Sequence, residues 1–234
     1  MVNSKLLKKN KILIIAAHPD DEILGCGGTL SKHVQNGDEV YILFLTDGVG
    51  ARNTSEINSK AVFQRKKSAL SAAICIGAKE PIFGCFPDNQ CDSIPLLEIV
   101  KFIENKIKLI LPSTIYTHYA FDLNIDHRIA FQAVMTAARA DQDCPVQNIY
   151  SFEIPSSTEW ASNVFESNFT PNFFVNIESF EKKKVDALKK YNQEIKKFPH
   201  PRSFKAIKAL SNLRGAQSGF KSAEAFFIVR QKYK

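Results

Sequence analysis

The sequence predicts an α/β fold, a mostly parallel sheet covered by helices on both faces. Apolar runs with the β-branched content of buried strands alternate with helix-periodic segments through the first 140 residues. Glycines punctuate the joins, and clustered charged residues stand where two of the runs stop. Strand, helix and strand in turn imply parallel pairing through helical crossovers, and in such sheets ligands sit outside the carboxyl ends of the strands.

Residues 11–17 form the first strand of this reading, and a helix follows over 25–35, closed by Asn36-Gly37. The second strand spans 39–45 and runs into Thr46-Asp47-Gly48, and a long helix over 59–76 is stopped by Gly77. Residues 81–86 are short and extended. Helical spacing of Ile94, Leu97, Val100 or Ile103, and Ile107 predicts a helix over 94–107, followed by a strand over 109–116 and a helix over 129–140. Past Cys144-Pro145 the pattern changes. Extended segments are expected over 149–154, 173–177 and 225–230, and helices over 179–196 and 204–213, so the C-terminal third decorates the sheet.

With 234 residues, 44% hydrophobic and 24% charged, the chain can bury one large core, and residues 1–234 are read as a single domain. No apolar stretch approaches the roughly 20 residues that cross a bilayer, and residues 1–10 lack the apolar core of a secretory signal, so a soluble cytoplasmic protein is expected. Five scattered cysteines without a C-x-x-C pair exclude a disulfide framework and a zinc ribbon. Cys26, beside the charged turn, is read as a packing residue rather than a ligand. The net charge of +7 is uneven: residues 181–234 carry 15 Lys/Arg against four Asp/Glu, +11, which leaves −4 elsewhere. Because these lysines alternate with Val185, Leu188 and Tyr191 at helical spacing, a solvated helix face is preferred to a specific nucleic-acid surface.

Two clusters carry chemistry. Ala17-His18-Pro19-Asp20-Asp21-Glu22 ends the first apolar run with an imidazole and three carboxylates in one turn, and Asp122-Leu123-Asn124-Ile125-Asp126-His127 follows a later one. Carboxylates packed this closely repel unless a cation or hydrogen-bond donors compensate. A divalent metal on His18, Asp21 and His127 would have three protein ligands and a position left for water, the catalytic pattern for zinc. Asp20, not needed as a ligand, is then free to take a proton from water. Asp126 or Asp122 orients an imidazole or binds substrate hydroxyls. A helix cap at Asp21 explains one cluster alone but not two at corresponding strand ends.

The first turn with the following Gly25-Cys26-Gly27-Gly28-Thr29-Leu30, together with the later Asp-His pair, resembles the LmbE/PIG-L family of metal-dependent N-acetylglucosamine-type deacetylases. The likeness extends to Thr46-Asp47-Gly48, Arg65, Phe86-Pro87-Asp88-Asn89 and Ala223-Glu224-Ala225-Phe226, and so spans nearly the whole chain. It implies a Rossmann-like sheet, metal ligands His18, Asp21 and His127, Asp20 as general base, and zinc or another divalent ion such as iron(II) as cofactor. It places Arg65 near the substrate or the leaving acetate, and Asp88 (with Asp92) near sugar hydroxyls. The expected partner is an N-acetylated amino-sugar conjugate, and a homo-oligomer is compatible with the sequence.

The chain departs from the family pattern at Asn124, where many members carry the histidine that polarises the amide carbonyl. An asparagine donates a hydrogen bond but supplies neither charge nor a proton for the leaving amine. His118, near the end of the same strand, and His200, between two prolines, are the candidates to take over, whereas His33 within the first helix is structural. No Gly-x-Ser-x-Gly elbow supports a serine nucleophile, and the glycines at 25, 27 and 28 lack the third required by a dinucleotide fingerprint. The rival reading is a noncatalytic metal- or carbohydrate-binding protein on the same fold.

Overall fold

A computed structural model describes residues 9–50, 59–161 and 168–233, and its strands join in one seven-stranded sheet. In chain order the elements are β1 (Lys11–Ala16), α1 (Asp21–Gln35), β2 (Glu39–Thr46), α2 (Ser59–Ile76), β3 (Ile82–Phe86), α3 (Leu96–Ile110), β4 (Thr114–His118), α4 (Ile125–Ala137), β5 (Asn148–Phe152), β6 (Phe173–Asn176), α5 (Glu181–Leu188), α6 (Phe204–Ser218) and β7 (Ala223–Gln231). The sheet order is β3-β2-β1-β4-β5-β7-β6. The first five strands are parallel, and β7 and β6 extend the sheet antiparallel beside β5. The expected mostly parallel sheet with helices on both faces is therefore the observed architecture.

β1 is central, paired to β2 on one side and β4 on the other, and its side chains alternate between two cores. Ile12, Ile14 and Ala16 pack with Ala69 and Ala72 of α2 and with Leu188, while Leu13 and Ile15 pack with Ile99 and Ile103 of α3 and Val134 of α4. A strand buried on both faces needs a continuous apolar run, which is why Ile12 to Ile15 shows no polar alternation. Because β1 and β4 are neighbours with matched register, Ile15 opposite Thr117, the turns that leave their carboxyl ends meet.

Several boundaries differ from the sequence reading, and the larger differences have physical reasons. Residues 109 and 110 belong to α3, not to the next strand: the seam of Ile99, Ile103, Ile107 and Ile110 continues, and Leu109 and Leu111 are 75% and 57% exposed. Leu111 then stops the helix in the left-handed region, with φ 56°. α4 begins four residues before the expected 129, because the Asn124 side chain caps it by accepting from the Asp126 amide at 2.8 Å. The helix expected over 179–196 is reduced to α5 between short 3₁₀ turns, and the chain then bends so that Tyr191 and Glu194 reach Glu22 and Arg65.

α1 also starts earlier than expected, at Asp21, and it is broken at Cys26, whose φ −146° and ψ 20° lie outside the helical region. A buried ion pair from the C-terminal third fills the break. Glu224 accepts from the Gly28 and Thr29 amides at 2.9 and 2.7 Å, and Lys184 donates to the Leu24 carbonyl at 2.9 Å and to Glu224 at 2.7 Å. The polar backbone groups freed by the break are thus satisfied. The glycines here are matters of close approach: a Cβ on Gly25 would lie 2.5 Å from the Phe152 ring, and one on Gly28 2.8 Å from Ile177.

Candidate metal centre

β1 ends in a turn held from several sides. Asp20 has φ 128°, a left-handed value that costs energy in a non-glycine residue, and its carbonyl accepts from the Ile23 and Leu24 amides to start α1. Glu22 accepts from the Asp20 amide at 3.0 Å and from the Tyr191 hydroxyl at 2.6 Å. Arg65 of α2 donates to the Pro19 carbonyl at 2.8 Å and pairs with Glu194. These supports lock the turn into the one backbone that turns His18, Asp20 and Asp21 to one side.

From the β4 side, α4 delivers His127. The Nδ1 of His18, the Nε2 of His127 and the Oδ2 of Asp21 form a triangle of 3.2, 3.2 and 3.3 Å. All three residues are essentially buried, except for a slight exposure of His18. The outward nitrogens of both rings face carboxylates. His18 Nε2 lies 3.2 Å from Asp126 and 3.1 Å from Asp88, and His127 Nδ1 lies 3.0 Å from Asp122 in an ion-pair contact. Outward N–H groups held this way leave lone pairs facing inward. Two imidazole lone pairs and a carboxylate directed at one point repel unless a cation stands there, and ligands at about 2.0–2.1 Å in a tetrahedron lie about 3.3–3.4 Å apart. Asp21 Oδ1 is buried and has no hydrogen-bond partner among the described residues. The donor set therefore fits a divalent cation.

Each carboxylate is itself pinned. Asp126 accepts from the Asn89 and Cys91 amides at 2.7 and 3.0 Å, and Asp122 accepts from Ser157 and from Thr158, the latter at 2.6 Å. Charge follows this geometry. Burial opposes ionisation of His127, yet Asp21 and Asp122 outweigh it and raise its pKa to about 9. His18 is likewise held well above its ordinary range, with Asp126, Asp21 and Asp88 overcoming burial. Burial also works against the charged form of Asp21, but His127 wins and keeps it well below the usual carboxylate range. Asp20 is pushed up to about 6 by burial, with Arg202 opposing, and burial carries Glu22 to about 8.

The structure brings His18, Asp20, Asp21, Asp88, Asp126 and His127 into one cluster. The other candidates take different places. Arg65 is buried and held by Pro19 and Glu194, so it braces the turn after β1. Asn124 is committed to capping α4, and its amide donates to Asn89 at 3.0 Å. His118 is fully buried, stacked on His127 at 3.8 Å, and its Nε2 accepts from the Ala17 amide at 2.8 Å. Its ring packs against His127. Burial and the nearby His127 hold it neutral. His200 sits half-buried in its loop, accepting from the Arg202 amide at 3.0 Å, with the Trp160 ring edge-on at 6.0 Å. Asp92 is exposed on a 3₁₀ turn, and His33 bridges Asp38 and Tyr116.

Sequence reasoning missed Arg202. Its Nη1 donates to Asp20 Oδ2 at 3.1 Å, and its Nε donates to Ser156 at 2.9 Å and to the Pro155 carbonyl at 3.3 Å. The signal was present, since the arginine follows His200 and a proline in a stiff loop. Glu22 and Tyr191 were missed as well, because their pairing spans 169 residues.

The profile of the PIG-L family, described as GlcNAc-PI de-N-acetylase, matches residues 13–138. An uncharacterized deacetylase, YaiS, of Escherichia coli K12 is 29% identical over 190 residues, 79% of this chain and 91% of that protein. Diacetylchitobiose deacetylase of Thermococcus kodakarensis is 31% identical over 80 residues, 34% of this chain and 30% of that protein. Among solved structures, N,N'-diacetylchitobiose deacetylase from Pyrococcus horikoshii superposes with a TM-score of 0.77 at 19% identity, over 95% of this chain and 85% of that one. A 4-carboxy-2-hydroxymuconate hydratase, GalB of Pseudomonas putida, superposes equally well, with a TM-score of 0.77 at 19% identity over 96% and 98% of the two chains. The last pair shows the shared fold alone. The profile covers more than half of the chain and includes both halves of the triangle of His18, Asp21 and His127: this protein belongs to the PIG-L family.

Proposed function

We propose that the protein is a divalent-metal-dependent hydrolase that removes the acetyl group from an N-acetylglucosamine-type conjugate and releases acetate and a free amine. One observation carries this reading: two imidazoles and a carboxylate converge within 3.3 Å while each ring is held from behind by another carboxylate. The family membership and the deacetylases among the similar proteins support the reaction type.

A divalent ion on His18, Asp21 and His127 supplies Lewis acidity toward the acyl oxygen and toward water. Asp20 stands beside this set without belonging to it, and it acts as the base that removes the proton of the attacking water. Arg202 fixes the Asp20 carboxylate in place and favours its charged form against burial. Asp126 and Asp122 hold His18 and His127, so they position the ligands and do not touch substrate. His200 is the proposed acid for the departing sugar amine, on the strength of its place in the loop that carries Arg202. Asp88 lies at the edge of the same cluster and is available to sugar hydroxyls as well as to His18.

Acetate release from N-acetylglucosamine conjugates, measured with wild type, Asp20→Asn and His200→Ala, tests the reading. Loss of turnover in Asp20→Asn with metal content retained is the expected result. Undiminished release from Asp20→Asn removes the assigned base. A noncatalytic binding protein, which the commitment of Asn124 to a helix cap favours, would hold metal and bind acetamido sugars without turnover on any of them.

A further inference from the structure

A second cavity of about 530 Å³ opens along the C-terminal half of α1. Counted by helix rise from Asp21 to His33, it lies about 18 Å from the metal turn. Thr29, Lys32 and His33 of α1 form one wall, the edge strand β6 with Phe173 forms another, and Tyr116 of β4 and Phe220 beyond α6 complete it. We propose that this cavity is a ligand site separate from the metal centre, and that it takes a flat, largely apolar molecule bearing one negative charge, of the arylcarboxylate type.

Shape and size fit a small molecule, since ligand sites commonly enclose about 300–1,000 Å³ with mostly apolar walls and a few fixed polar groups. The apolar wall is aromatic and rigid: Phe173 stacks on Tyr150 at 4.9 Å with the planes 21° apart, and Tyr150 in turn packs on Tyr116 at 5.3 Å. Aromatic faces arranged this way accept a planar ring by offset or edge contacts. The polar wall is equally fixed. His33 Nδ1 faces Asp38 at 2.7 Å, and Nε2 faces the Tyr116 hydroxyl at 3.0 Å. In the tautomer whose Nδ1–H donates to Asp38, Nε2 accepts from the Tyr116 hydroxyl, and the two contacts together fix both rings.

Charge selects the ligand. Among the described residues no carboxylate lines the cavity and its one full charge is Lys32, whose ammonium is anchored at its lip by the Asn176 carbonyl at 3.3 Å. One of its three N–H bonds is used there, which leaves the others for an anion. The Thr29 hydroxyl is buried with no hydrogen-bond partner among the described residues, an unmet polar group in the same wall. Such a group costs stability until a ligand or water meets it. Nothing in this arrangement uses Asp20 or the metal ligands, so the inference stands apart from the proposed reaction.

Isothermal titration of the full-length protein with 2-naphthoate tests it, with neutral 2-naphthylmethanol as the control. One naphthoate per chain is expected, binding about tenfold or more tighter than the alcohol, with Lys32→Glu removing that preference and Phe220→Ala weakening both, as for one desolvated charge contact beside an aromatic wall. Chelation of metal should leave naphthoate affinity unchanged, and both variants should release acetate at the wild-type rate. Equal affinity for naphthoate in wild type and Lys32→Glu overturns the proposal. So does binding that vanishes with chelation, which would place the anion at the metal turn. Sedimentation showing a dimer that Phe220→Asp dissociates would also overturn it, because the cavity would then be covered by a second copy.

Discussion

His18 meets different partners on its two ring nitrogens, and that asymmetry organises the site at the scale of single residues. One nitrogen belongs to the triangle with Asp21 and His127, and the other to Asp126 and Asp88. Removing an orienting carboxylate should therefore loosen the metal without touching it: Asp122→Ala is expected to weaken zinc binding by about 10–100-fold, read by titration against a competing chelator. Asp20→Asn should bind metal normally yet lose about 10²–10⁴-fold in acetate release, the usual span for a general base. Arg202→Ala should lower turnover more than substrate affinity, with partial recovery in Arg202→Lys, which returns a charge but not the forked contact to Ser156 and Asp20. If Arg202→Ala turns over at the wild-type rate, the carboxylate needs no such clamp. The residues gathered at the triangle were legible because each sits where an apolar run stops. Arg202 was not, since its partner lies 182 positions away and no local pattern links them. The place of His118 was not legible either: it ends β4 as expected, but its buried ring stacks on His127, and sequence does not tell which way a side chain at a strand end turns.

At the scale of elements, the broken helix α1 explains a motif that sequence alone leaves without a role. Glu224 of the Ala-Glu-Ala-Phe run and Lys184 fill the gap at Cys26. Lys184→Met would strand the buried Glu224 and is expected to cost about 3–5 kcal/mol, seen as a lower urea midpoint. Gly25→Ala drives a methyl group into the Phe152 ring and should cost about 1–3 kcal/mol on the same measurement. Helix and strand identity was readable from apolar spacing, and α2 matches its expected bounds. Ends were less readable where caps decide them. Asn124 stands where the family histidine is expected, which drew attention from its ordinary use as a helix cap. Leu109 and Leu111 are apolar yet solvent-facing, so hydrophobicity alone assigned this stretch to the wrong element.

For the whole molecule, the parallel order β3-β2-β1-β4-β5 brings the ends of β1 and β4 together, and the antiparallel β7 and β6 close the sheet beside β5. The general architecture was legible from alternation of strand and helix, but the antiparallel return was not, because direction depends on how a long C-terminal path folds back. A cation bound only by the native triangle must stabilise the whole fold: at a hundredfold excess over its dissociation constant the gain is about 2.7 kcal/mol. Calorimetry with and without chelator should show that gain in wild type and lose it in Asp21→Asn. An equal shift in Asp21→Asn would locate the ion elsewhere.

The filled break in α1 has a consequence for the order in which the protein becomes competent. His18, Asp21 and His127 are made before Lys184, Arg202 and Glu224, so a nascent chain already carries the triangle residues while Gly28 and Thr29 still lack their acceptor. A chain ending before residue 223 would keep the triangle residues but leave the Gly28 and Thr29 amides without the Glu224 carboxylate that fills the break in α1.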